Sequence, residues 1–129
     1  MRYRGSLTIA AGQTQRDPAL ADLSICAGII TEVEIHFPAG HSGLTHLQIW
    51  YLGRQIFPTS EGAAFRGDDN VIQFGEQWVI KEVPHRLVLH GWAPLSTLAH
   101  TVFVEVSVQP FEVEPGLGSV PVGLPEGFE

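Results

Sequence analysis

Residues 101–109 read Thr-Val-Phe-Val-Glu-Val-Ser-Val-Gln, and the fold turns on this stretch. Val102, Val104, Val106 and Val108 occupy every second position, against Phe103, Glu105, Ser107 and Gln109. Side chains of an extended chain point alternately to opposite faces, so one row is expected on a core and the other in water. Residues 29–37 (IITEVEIHF) repeat the pattern, with Ile29, Val33, Ile35 and Phe37 against Glu32, Glu34 and His36. So do residues 44–51, where Leu47, Ile49 and Tyr51 oppose His46, Gln48 and Trp50. A shorter run sets Leu87 and Leu89 against Arg86, Val88 and His90.

Weaker strand signals cover residues 4–11, 55–57, 71–74 and 77–83. Breakers separate them: Pro38, Ala39 and Gly40, then Ser42 and Gly43, Gly53, a polar excursion over residues 58–70, Pro84 and Pro94. No stretch sustains a helical period. Residues 17–23 (DPALADL) predict a single helical turn, with Asp17 capping and Pro18 at the first position. Seven or so strands, with turn signals about every 8–12 residues, predict an all-β fold. Its form is a two-sheet antiparallel sandwich of jelly-roll or Greek-key topology. The expected domain spans residues 1–110, of which 1–15 form either an N-terminal arm or an edge strand. Residues 111–129 combine Pro115, Pro121 and Pro125 with four glycines and recurring apolar side chains, and are expected to form an extended arm.

A chain of 129 residues that is 44% hydrophobic and 16% charged has ample material for one core and surface to spare for partners. Its formal charge of −7 argues against nucleic acid as a direct partner, since phosphate binding needs a positive footprint. No apolar run approaches membrane-spanning length, and the N-terminus lacks the apolar core of a secretion signal. Cys26 is single, which excludes an intrachain disulfide; its apolar setting predicts a small buried hydrophobe.

Six histidines invite a metal reading. His36, His41 and His46 recur at five-residue intervals across a strand, a loop and a strand, and outward parity on neighbouring strands would bring His36 and His46 together. Residues 37–40 (FPAG) look like the start of the first cupin motif, but the H-x-H pair that cupins use as ligands is absent from the chain. No metal, cofactor or catalytic residue is therefore expected, and the three histidines stand as the fallback set. Asp68, Asp69 and Asn70 offer oxygens to calcium, but Asx turns explain the same residues. Glu32 and Glu34 share a strand face and would suit glycoside chemistry only in a cleft. His41 and Ser42 lack the nucleophile elbow. Trp50, on the outward parity, would stack on a sugar ring or anchor a protein interface if exposed.

Residues 37–51 (FPAGHSGLTHLQIWY), the GDDN loop at 67–70 and the strand HTVFVEVSVQP at 100–110 resemble small β-sandwich virion proteins of tailed phages, of the head-decoration and head-completion kind. The resemblance implies a structural protein that forms homo-oligomers, trimers foremost, on a capsid shell protein, with arms that interlock. The expected interface residues are Leu117, Val120, Val122, Leu124 and Phe128 in the arm and Trp50 on the body. The expected location is the virion, or the cytoplasm for a non-viral chain. The alternatives are a carbohydrate-binding sandwich using Trp50 or Trp92, and a cupin-like metalloenzyme using His36, His41 and His46.

Overall fold

A computed structural model describes residues 1–111. Among them are nine strands: β1 (Arg2–Ile9), β2 (Ala19–Ser24), β3 (Gly28–Phe37), β4 (His46–Tyr51), β5 (Arg54–Phe57), β6 (Phe65–Arg66), β7 (Asn70–Ile80), β8 (Arg86–Trp92) and β9 (His100–Pro110). They form two packed antiparallel sheets. One is ordered β1-β9-β3-β7, the other β2-β8-β4-β5, with β6 also against β4. The pairs β1–β9, β2–β8, β3–β7 and β4–β5 nest inside one another, like a ribbon folded at the β4–β5 hairpin, which is the order a jelly roll requires. Leu52 and Gly53 make that hairpin's turn, both with positive φ (54° and 76°), the backbone a two-residue turn needs to match strand twist.

The alternating valines of β9 are all buried, on the same inner sheet face as Leu7 and Ile9 of β1 and Val33, Ile35 and Phe37 of β3, within one core. The second sheet supplies Leu47 and Ile49 from β4 and Leu87 and Leu89 from β8. Gly91 is glycine for want of room: a Cβ there would meet Ile9 Cδ1 at 2.6 Å and Leu7 Cδ2 at 2.7 Å. Cys26 is only half-buried, at the margin of the core.

Three local expectations are corrected. Residues 17–23 make no helical turn; β2 starts at Ala19, and pairing along β8 from Ala19–Gly91 to Ser24–Arg86 outweighs the helix-start signal of Asp17 and Pro18. In β3 the inward residue is Ile30, not Ile29, because a bulge at Thr31 sets Thr31 and Glu32 together against Ser107. The two strands foreseen over 71–74 and 77–83 are the single strand β7, and the 58–70 excursion holds the short β6. Of the two alternatives for the N-terminal segment, the edge strand holds, as β1.

Candidate functional site

Outward parity does not bring His36 and His46 together. The strands that carry them, β3 and β4, lie in different sheets, so the two rings leave the sandwich through opposite faces. His36 is exposed beside Phe103, with ring centroids 6.1 Å apart. His46 stacks on Trp92 at 5.5 Å, the planes 5° apart. His41 lies in the loop between them and is 1% exposed. Its Nε2 donates to the Thr101 carbonyl at 3.1 Å; its Nδ1 therefore accepts from the Thr45 hydroxyl at 2.6 Å. Both ring nitrogens are thus spent, Nε2 on fastening the β3–β4 loop to β9 and Nδ1 on a bond within that loop. His100 packs on its face at 4.5 Å. Among the described residues no group of three or more His, Cys, Asp or Glu is arranged to hold a metal ion.

The acidic loop ties the same end together. Asp68 Oδ1 accepts from the Gly40 amide at 3.0 Å, and Asn70 Oδ1 from the Asp68 amide at 2.7 Å. The first bond ties this loop to the β3–β4 loop, and the second runs back along the chain, so neither has the forward geometry of the Asx turn expected here. The Glu32 and Glu34 carboxylates lie on an open sheet face with Arg2 between them, at 3.1 and 3.3 Å; Arg2 also reaches Glu105 at 2.6 Å. The Gln73 amide and Arg2 hold Glu32 below the usual carboxylate range, and Arg2 and Arg4 do the same for Glu105. A glycosidic general acid needs the opposite shift.

The outer face of the five-stranded sheet holds the largest concavity described, of about 620 Å³, lined by Gln15, Gln48, Trp50, Gln55, Thr59 and Glu61 among others. Trp50 does face outward, half-buried. His90 stacks on it at 4.5 Å, and its Nε1 donates to Gln48 Oε1 at 3.0 Å. Sequence reasoning passed over Gln48 and Gln55, polar residues on strands. Gln48 donates to the Ala63 carbonyl at 2.8 Å, Gln55 to Pro58 at 2.7 Å, and the Gly62 amide donates to Gln55 Oε1 at 3.0 Å. The two amides therefore staple the 58–64 loop over the sheet, and their capacity for a sugar hydroxyl is largely used. Trp92, 6% exposed beneath His46, has no open face to offer.

Neither the known protein-family models nor the curated proteins match this chain. Among the described residues no helix is long and apolar enough to cross a membrane. Of the expected interface residues, Leu117, Val120, Val122, Leu124 and Phe128 lie outside the described part. Large apolar side chains nonetheless stand in water on the body: Val71 and Val79 on β7, Val83 in the β7–β8 loop, and Leu95 and Leu98 in the β8–β9 loop.

Burial pushes three imidazoles below their ordinary value of 6.5: His41, helped by His100 and His36 against Asp68 and the Thr101 carbonyl; His46, helped by Arg66; and His90. Each binds a proton less readily in the folded chain than once unfolded. Stability is therefore full above pH of about 6.5 and falls as pH drops below it. Melting temperature should be flat from about pH 8 to 7 and decline towards about pH 5. The double substitution His46→Phe, His90→Phe keeps aromatic rings on both tryptophans and should flatten that decline. An unchanged slope in the double variant would assign the pH dependence to other groups.

Proposed function

We propose that the chain is a structural assembly protein that works as a homo-oligomer, in the manner of a virion component that stabilises a shell. The observation that carries this reading is the apolar surface left outside a well-filled core. Leu95 and Leu98 are 77% and 67% exposed in one loop, and Val83 is 74% exposed at the far end of the sandwich. Contiguous apolar patches mark surfaces that meet other proteins, and Leu95 and Leu98, three residues apart in one loop, are the candidates for one here. The shell setting is supported by the resemblance of the body's strand pattern, followed by a Pro/Gly-rich extension, to phage head-decoration proteins.

His41, Glu32, Glu105, Gln48 and Gln55 are engaged in holding loops and strands to one another. The full-length chain should sediment as an oligomer at micromolar concentration. A monomer at tens of micromolar, by sedimentation equilibrium and native mass measurement, would reject the reading.

A further inference from the structure

Strand β7 is an edge of its sheet, paired with β3 on one side and, among the described residues, with nothing on the other. It is 11 residues long, and its sequence NVIQFGEQWVI holds no proline and a single charged residue, Glu76. Long, weakly charged edges template the addition of further strands, and proteins ordinarily blunt them. The opposite edge of this sheet, β1, carries Arg2 and Arg4. Exposure alternates along β7 from Val71 to Ile80 without a break, even past the irregular pairing opposite Thr31.

The outward row is therefore Val71, Gln73, Gly75, Gln77 and Val79, and it reads the same from either end. An isologous contact requires this kind of self-complementarity. Two β7 strands laid antiparallel about a two-fold axis at Gly75 would set Val71 against Val79 of the second copy, Gln73 against Gln77, and glycine against glycine at the axis. Val71 and Val79, each 50% exposed, would cover one another. Gln73 donates one amide hydrogen to Glu32, but an amide has a second hydrogen and a carbonyl oxygen, so facing glutamines can still exchange hydrogen bonds without placing like charges together. On the inner row the same register sets Ile72 against Trp78.

We propose that β7 pairs with β7 of a second copy, joining two four-stranded sheets into one continuous sheet across a two-fold axis. The proposal rests on the assembly reading and gives it one contact and one symmetry, two-fold in place of the three-fold that the phage resemblance implies.

The test compares full-length wild type with V71D/V79D, V71K/V79K and V71K/V79D by sedimentation equilibrium, with circular dichroism confirming the fold. The first two place like charges opposite each other twice and should raise the dissociation constant of the pair at least about a hundredfold. The third places a lysine opposite an aspartate twice and should stay within about tenfold of wild type. Loss in both like-charge variants, which alter net charge in opposite directions, with retention in the mixed variant, supports the pairing and its register. If all three assemble as wild type does, the edge is not the interface, although the assembly reading stands. If the mixed variant is as weak as the other two, the register fails. A monomeric wild type would defeat the assembly reading itself.

Discussion

Val104→Asp should yield no soluble folded protein. Val104 is 1% exposed in the middle of β9, where it pairs with Ile35 on one side and Gly5 on the other. A carboxylate there would have no hydrogen-bonding partner in the core, and burying such a group costs several kcal/mol even after the site relaxes. That is on the scale of the roughly 5–15 kcal/mol that stabilises a whole domain. Phe103→Asp, one residue away on the outward row, is the control. Phe103 is 41% exposed, so this variant should stay soluble and fold. Expression, solubility and circular dichroism of the two variants decide the matter. A soluble Val104→Asp protein with unchanged melting temperature would mean that the faces of β9 are reversed.

Ending the chain after Pro110 should leave the sandwich folded and reduce the assembly to the two-fold pair. Residues 111–129 carry Leu117, Val120, Val122, Leu124 and Phe128, spaced by prolines and glycines. Each apolar side chain fully buried on a neighbour contributes roughly 1.5–3 kcal/mol, against roughly 1–2 kcal/mol for each backbone residue ordered. Proline narrows the free chain's choices and lowers that cost, which a Gly/Ser linker would bear in full. Sedimentation velocity of full-length and shortened protein gives the answer, with circular dichroism as the check on folding. Equal assembly by the two would remove the arm from the account.

Where a strand's two faces meet different surroundings, the fold was legible. The valines of β9 and the Leu47-Ile49-Tyr51 row of β4 announce both strand and inward face, because burial follows the two-residue period directly. Ile29 was misassigned because a bulge is a property of two strands in register, and Thr31 differs in no local way from a regular strand residue. The strand β2 was missed because Asp17 and Pro18 carry a local helix signal, while the β8 edge that captures Ala19–Ser24 lies far along the chain, at Arg86–Gly91. The histidines show the same limit: parity says that His36 and His46 point out, but not from which sheet. Trp50 was legible as outward-facing. The 58–64 loop stapled over its sheet by Gln48 and Gln55 was not, since a glutamine on a strand gives no sign of where its amide will find a carbonyl.

The nested pairing also sets an order of events. The first strand finds its mate only in the last, with Arg2 opposite Ser107 and Ile9 opposite His100. During synthesis β1 leaves the ribosome with nothing to pair with until residues 100–110 follow, and β2 and β3 likewise wait for β8 and β7. The β4–β5 hairpin alone is local. The contact order is accordingly high, and such chains fold in milliseconds to seconds rather than microseconds. Until β9 arrives, the apolar rows of β1 and β3 lie bare, and a nascent chain stalled before β9 has emerged would be the species most exposed to aggregation and to proteolysis.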